Sequence, residues 1–281
     1  MPVDQRHRRD VFQKLEGELG KITKHSNPES VHKLRTGTRR VETVLEELVP
    51  QPDKNTRKLL KSLTRLRKKA GKVRDLDVQS ALLRNLKIAR GAREKSRLLR
   101  TLATERAKRE KKLAEALDKD AIRDLRRRLS RARKEMEIPE GVEPLRVAMD
   151  EFSALGRDRS PITQKLLHQY RITGKRARYV IEIAQKSAEA ADAIRQLEKM
   201  QDVVGDWHDW LTLTERAENL FGGMKDSSLV AAMRNLTRAK FREGVDAVMR
   251  TRVALSGEKL ESGGAAPKRP VKAAQTEPAA A

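Results

Sequence analysis

Apolar residues recur along most of the chain at the three- and four-residue spacing of amphipathic helices. The first such series is Val11, Phe12, Leu15, Leu19 and Ile22. The same spacing predicts helices over 10–22, 28–48, from about 53 onwards, two charged helices between 91 and 135 that are broken near 118, and then 143–155, 161–186, 189–221 and 226–256. The pattern therefore predicts an all-α fold.

An IPEG segment at 138–141 interrupts the helical pattern near the middle of the chain. Proline and glycine mark breaks between helices, so the chain divides into two halves of roughly four helices each. The final segment is rich in Gly, Ala, Pro and Lys, which cannot build a packed core. The predicted organisation is a flexible N-terminus at 1–9, a first four-helix bundle at 10–137, a linker at 138–142, a second four-helix bundle at 143–256 and a disordered tail at 257–281.

The two halves share sequence, which indicates an internal duplication. At an offset of 136 residues, HKLR at 32–35 aligns with HQYR at 168–171, and the apolar and acidic residues that follow also match. At an offset of 131, the segment 66–77 aligns with 197–208. Two blocks in the same order and at similar separation are difficult to obtain by chance.

In each half, the matching helix separates a basic face from an apolar face. His32, Arg35 and Arg39 fall within about 60° of one another on a helical wheel. Leu34, Val41, Leu45 and Leu48 lie on the opposite side and are predicted to face the core. In the second half the basic face carries His168, Arg171 and Lys175, and the apolar face carries Tyr170, Ala177 and Ile181.

The third predicted helix carries a further row of cations. Lys61, Arg65, Lys68 and Lys72 follow one another at helical spacing. Like charges at this spacing destabilise an isolated helix by a few tenths of a kcal/mol per pair, roughly, so a bound anion is expected to compensate. The equivalent helix of the second half contains Asp202, Asp206 and Asp209. We therefore expect a binding face that is better developed in the first half.

The overall charge also points to a polyanionic partner. The chain of 281 residues has a formal net charge of +23 at pH 7. Nucleic acid, an anionic membrane and inorganic polyphosphate would all neutralise such a charge. The N-terminus lacks the apolar region of a signal peptide, and no stretch reaches the 18 apolar residues of a membrane span. These features predict a cytoplasmic protein that does not insert into membranes.

Catalytic and cofactor motifs are not found in the sequence. The chain has no Walker loop, Rossmann glycine series, HExxH motif or nucleophile elbow, and no carboxylates are spaced to hold Mg²⁺. The segment DWHD at 206–209 directs its polar side chains away from one another around a helix, which argues against a metal site. Trp207 is predicted to pack in the core, and Asp75 and Asp206 to orient Arg or His side chains. We predict no enzyme activity and no cofactor.

Four sequence blocks resemble the CHAD family, the conserved histidine α-helical domain. These blocks are VHKLRTGTRRVETVLEEL at 31–48, LRKKAGKVRDLDV at 66–78, LLHQYRITGKRARYVIE at 166–182 and LEKMQDVVGDWHDWL at 197–211. The resemblance implies two four-helix bundles related by a pseudo-twofold axis, with a basic channel between them. It also implies binding of inorganic polyphosphate and association with polyphosphate granules.

The repeat and the resemblance together define a predicted polyphosphate-binding set. Its members are His32, Lys33, Arg35, Arg39, Arg40, Arg65, Lys68, Lys69, Lys72, His168, Arg171, Lys175, Arg176, Arg178 and His208. The main competing hypothesis is non-specific nucleic-acid binding, but the sequence offers few aromatic residues for base stacking, so nucleic acid is expected to compete weakly. Two further hypotheses are a scaffold for an acidic protein and an enzyme acting on phosphorylated small molecules. The sequence does not predict an oligomeric state.

Overall fold

The computed structural model describes residues 2–22, 27–157, 161–222 and 227–256, and these residues form an all-α fold. The helices are α1 (Gln5–Lys21), α2 (Pro28–Leu48), α3 (Lys54–Asn85), α4 (Ala92–Ala114), α5 (Lys119–Glu135), α6 (Pro144–Ala154), α7 (Gln164–Ile181), α8 (Ala188–Phe221) and α9 (Ser228–Ser256), with a 3₁₀ turn at Glu115–Leu117. The prediction of an all-α fold is confirmed. The tail at 257–281 lies outside the described residues.

The described part of the first half contains five helices, one more than a four-helix bundle. The additional helix arises at the charged segment between 91 and 135, where α4 ends in the 3₁₀ turn and α5 follows. Asp118 begins α5 because its side chain accepts a hydrogen bond from the Ala121 amide. A carboxylate at this position satisfies a donor that the first helical turn leaves free, so the break predicted near 118 is confirmed.

The N-terminal residues predicted to be flexible are instead part of the fold from Pro2 onwards. Asp4 caps α1 through its side chain, and its amide donates to the carbonyl of Ile183 at 2.8 Å. Val3 forms an isolated antiparallel bridge with Ala184. Backbone pairing with the segment after α7 therefore ties the start of the chain to the second half.

The apolar core runs through both halves. One cluster joins the buried faces of α1, α2, α3 and α5 to those of α6, α7, α8 and α9, and a second cluster joins the C-terminal parts of α3 and α8 to α4 and α9. The residues predicted to face the core are buried, among them Leu34, Leu45, Tyr170 and Trp207. The apolar core is therefore continuous across the interface between the two halves.

Two equivalent arginines, one on α2 and one on α7, each pair with an acidic residue near the C-terminal end of the other helix. Arg40 on α2 pairs with Glu182 after α7 at 2.7 Å, and Arg176 on α7 pairs with Glu47 on α2. Arg40 and Arg176 are equivalent in the repeat. The crossed pairing places the two helices antiparallel at their contact, and this arrangement is compatible with a pseudo-twofold relation.

Candidate anion-binding site

Four cations from α2 and α7 lie together where the two halves meet. Arg35 and Arg39 come from α2, and Arg171 and Lys175 come from the equivalent positions of α7. The four side chains are close together: besides burial, the charges of the three arginines lower the pKa of Lys175, and the charge of Arg35 also lowers the pKa values of Arg39 and Arg171. Gly71 on α3 packs against Arg35, since a Cβ atom at this glycine would lie in ordinary van der Waals contact, 3.4 Å from Arg35 Nε. We call these four residues the basic cluster.

The basic cluster lacks acidic partners. Among the residues that the structure describes, none of its four side chains has a carboxylate within 4.0 Å or a hydrogen-bond acceptor. The Nε atoms of Arg35 and Arg171 are buried with no acceptor. Buried donors on charged groups are costly when they are left unsatisfied, and the four like charges also repel one another. An anion bound between α2 and α7 would relieve both costs.

Burial and repulsion by neighbouring arginines lower the pKa values of Arg39, Arg171 and Lys175. Burial, followed by the charges of Arg171, Arg35 and Arg39, lowers the pKa of Lys175 to about 7. Burial and the charges of Arg67 and Arg35 lower the pKa of Arg39 to about 10. Arg39 therefore remains charged at neutral pH, whereas Lys175 is partly deprotonated until an anion raises its pKa.

Two of the three predicted histidines meet beside the basic cluster. The rings of His168 on α7 and His208 on α8 are 5.0 Å apart. Burial, followed by the charges of Arg171 and His168, lowers the pKa of His208 to about 3, so this ring is neutral. The pKa values of His32 and His168 are also lowered, mainly by burial and then by nearby arginines. Burial is the largest cause of the lowered pKa in all three histidines.

Two carboxylates border the cluster, and the predicted binding set contained neither. Burial raises the pKa values of Asp75 on α3 and Asp209 on α8. The charges of Arg35, Arg171 and Lys175 act in the opposite direction and lower them. Asp75 is exposed to solvent, and Asp209 is half-buried. Asp206, which was expected to orient Arg or His, instead pairs with Lys240 on α9 at 3.0 Å.

Several predicted binding residues are engaged in ion pairs elsewhere. Arg40 and Arg176 hold the contact between the two halves, as described above. Arg178 pairs with Glu198 on α8 at 2.9 Å, and Lys33 pairs with Glu29 within α2 at 3.1 Å. The structure does not bring these four side chains into the basic cluster.

The predicted cations of α3 lie beside the cluster on a different face of the helix. Arg65, Lys68 and Lys72 are exposed, and Lys69 donates to the carbonyl of Lys112 on α4 at 3.1 Å. A neighbouring face of α3 carries Arg67 and Arg74, which the predicted set did not include; these act electrostatically on Arg39 and His32, respectively. The spacing of Arg67, Gly71 and Arg74 along α3 is the signal that could have identified them.

Arg40 is expected to stabilise the fold without contributing to anion binding. Because its guanidinium pairs with Glu182 and lies 5.4 Å from the centre of the Tyr179 ring, Arg40→Met should lower the free energy of unfolding by about 1 kcal/mol. Urea denaturation and titration with polyphosphate would measure the two effects separately. The control is Lys33→Met, which removes an exposed pair and should change neither quantity. A loss of polyphosphate affinity with an unchanged free energy of unfolding would show instead that Arg40 contacts the ligand.

The fold and the site define an all-helical protein with a basic cluster between its two halves. Residues 7–218 match the model of the CHAD domain family, and the chain belongs to this family. No helix in the described part of the chain is long and apolar enough to cross a membrane.

Two solved structures share the fold. The CHAD domain from the plant Ricinus communis resembles this chain with a TM-score of 0.68 and 17% sequence identity, over 90% of each chain. PptA from Streptomyces chartreusis resembles it with a TM-score of 0.51 and 14% identity, over 92% of this chain and 99% of PptA. A comparison with curated proteins finds no match. At these identities, the similarity establishes the fold alone.

Proposed function

We propose that the chain binds inorganic polyphosphate at the basic cluster, acts without catalysing a reaction, and associates with polyphosphate granules in the cytoplasm. The observation that carries this proposal is the set of four cations without acidic partners, contributed by equivalent positions of the two halves. Arginine offers a planar fork to phosphate oxygens, and lysine offers a compact charge. A linear chain of phosphates could contact both halves at once.

The aromatic residues favour polyphosphate over nucleic acid. The described residues include all eight Phe, Tyr and Trp side chains, and seven of them are buried. The remaining one, Phe241, is half-buried and packs against the Trp207 ring at 5.9 Å. Single-stranded nucleic acids bind through bases stacked on exposed aromatic rings, and no such ring is available here. A polyphosphate chain has no bases and needs only cations.

A competition titration tests the proposed ligand. Labelled polyphosphate would be bound to the full chain at physiological salt and displaced with unlabelled polyphosphate, DNA or RNA. We expect polyphosphate to compete better than either nucleic acid by about tenfold or more. If DNA or RNA competed as well as unlabelled polyphosphate, the protein would be a general polyanion binder.

The histidines are expected to contribute mainly at acidic pH. Because their pKa values are lowered in the free protein, His32 and His168 are largely neutral at pH 7 and above. Phosphate raises the pKa of a neighbouring imidazole, so their contribution to affinity is present at low pH and is lost as the pH rises. The double change His32→Ala with His168→Ala should therefore weaken polyphosphate binding more at pH 5.5 than at pH 8. His7→Ala on α1 is the control, and a loss that is independent of pH would contradict this role.

The exposed row on α3 is expected to matter only for long chains. Lys61, Arg65, Lys68 and Lys72 span about 16 Å along the helix and have no ion pair among the described residues. Replacing the first three with Gln should reduce affinity for long polyphosphate about tenfold and leave tripolyphosphate binding unchanged. The comparison of both ligands on one variant provides the internal control. An equal loss for both ligands would show that these residues act on the basic cluster itself.

A further inference from the structure

A pocket of about 530 Å³ adjoins the basic cluster between α3, α4 and α8. Asp75 and Gln79 of α3 line it, together with His208, Asp209 and Thr212 of α8. Asp75 and Asp209 therefore belong both to this pocket and to the surroundings of the basic cluster. Helices α3 and α8 bring these two carboxylates together from positions 134 residues apart.

In the described part of the chain, Asp75 and Asp209 have no direct partner, whereas Glu105, which also lines the pocket, pairs with Arg109 and Arg216. Among the described residues, Asp75 and Asp209 make no hydrogen bond and have no cation within 4.0 Å. The charge of Asp75 contributes to the raised pKa of Asp209, so the two groups are close enough to repel each other. Two neighbouring carboxylates that repel each other and lack a direct cationic partner provide a place for a cation.

A buried amide adds an oxygen ligand at the same pocket. The side chain of Gln79 is 4% exposed and donates through Nε2 to Thr212 Oγ1 at 3.2 Å. Its Oε1 atom is buried and receives no hydrogen bond. Carboxylate, amide and hydroxyl oxygens are hard ligands of the kind that Mg²⁺ prefers.

We propose that Asp75 and Asp209 hold a hydrated Mg²⁺ ion jointly with phosphate oxygens of the bound chain. This inference rests on the proposed function, because it places the metal between the protein and the polyphosphate. Magnesium is commonly bound through one or two carboxylates and substrate phosphates while it keeps several waters.

The charge of the site makes the metal depend on the phosphate chain. Without polyphosphate, a divalent cation near Asp75 and Asp209 would face Arg35, Arg171 and Lys175. A bound chain neutralises these cations and supplies the remaining ligands. The metal and the chain should therefore strengthen each other's binding, in the reciprocal manner that linkage requires.

The test compares polyphosphate affinity in EDTA and in millimolar free Mg²⁺ for three forms of the full chain. These forms are the wild type, Asp75→Asn with Asp209→Asn, and the control Asp202→Asn with Asp246→Asn. The control residues are exposed and have no ion pair among the described residues, and the control removes the same two negative charges. Trp207 and Trp210 precede and follow His208 and Asp209 in the sequence of α8, so their fluorescence provides a second readout without a label.

Magnesium should have opposite effects on the two double variants. In the wild type and the control, Mg²⁺ should strengthen polyphosphate binding about tenfold. In Asp75→Asn with Asp209→Asn, it should weaken binding, because Mg²⁺ on the chain reduces the charge that attracts the protein. Equal weakening in all three forms would overturn the metal site. Polyphosphate binding in EDTA reports the proposed function separately, and its loss in the wild type would overturn that function.

Discussion

Replacing Arg39 and Lys175 with methionine should raise the melting temperature and abolish most of the polyphosphate affinity. These repeat-equivalent cations repel Arg35 and Arg171, so their removal relieves repulsion while the methionine side chains keep apolar contacts. We expect a rise of about 2–4 °C. Two charge-assisted contacts to phosphate are lost, so affinity should fall about 100-fold. Differential scanning calorimetry and polyphosphate titration measure the two effects.

The stabilisation should also depend on pH in a defined direction. The folded pKa of Lys175 is about 7, below its ordinary value of 10.5, so the folded state disfavours the charged amine. The resulting penalty is fully present below pH 7 and disappears as the pH rises to 10.5. The single variant Lys175→Met should therefore gain most stability at pH 7 and below, and none near pH 10.5.

The matched control for these variants is Arg9→Met with Lys134→Met. Both control residues are exposed on α1 and α5, respectively, and neither has an ion pair among the described residues. The control removes the same net charge without touching the basic cluster. Equal losses of affinity in both double variants would show that total charge, and not the cluster, determines binding. A lower melting temperature for the cluster variant would contradict the repulsion described above.

Polyphosphate binding should take up a proton at Lys175 and weaken as the pH rises above 7. The free amine has a pKa of about 7, and a bound phosphate raises it. Below pH 7 the Lys175 amine is protonated in both the free and the bound protein, so its titration does not change the affinity there. Above pH 7 the free protein loses the proton first, and affinity should fall about tenfold per pH unit until the bound form also titrates.

Lys175→Arg separates this titration from that of the other groups. Arginine keeps its charge across the range, so the variant should lose the decrease above pH 7 while it still binds polyphosphate. Asp75, Asp209, His168 and the phosphate chain are common to both proteins, so their titration cancels in the comparison. Calorimetry at pH 8 in buffers of different ionisation enthalpy would measure the proton uptake directly. Identical pH profiles for wild type and Lys175→Arg would contradict the assignment to Lys175.

Helical periodicity predicted most of the fold because each helix buries one face. The columns at His32, Arg35 and Arg39, and at His168, Arg171 and Lys175, followed from the same periodicity. The sequence also led us to include Arg40 and Arg176, the immediate neighbours of Arg39 and Lys175. Adjacent residues on a helix point about 100° apart, so these arginines lie on another face and pair across the two halves.

Contacts between distant segments could not be predicted from local spacing. Nothing in the sequence indicates that Asp75 and Asp209 would meet, because this depends on how α3 and α8 pack. The sequence shows an uninterrupted series of cations on α3 at Lys61, Arg65, Lys68 and Lys72. The basic cluster is instead bordered by the face of α3 that carries Arg67 and Arg74. Arg67 and Arg74 each directly follow a core residue of α3, Leu66 and Val73, so they do not form a visible series of cations in the sequence.

A crystal structure of the protein with a short polyphosphate is the most direct test of where the ligand binds. The chain should lie between α2 and α7, with phosphate oxygens at hydrogen-bonding distance from Arg35, Arg39, Arg171 and Lys175. Its path should pass His168 and His208 and approach Asp75 and Asp209. Phosphates found only along the outer face of α3 or α4, with no contact to the basic cluster, would contradict the proposed site.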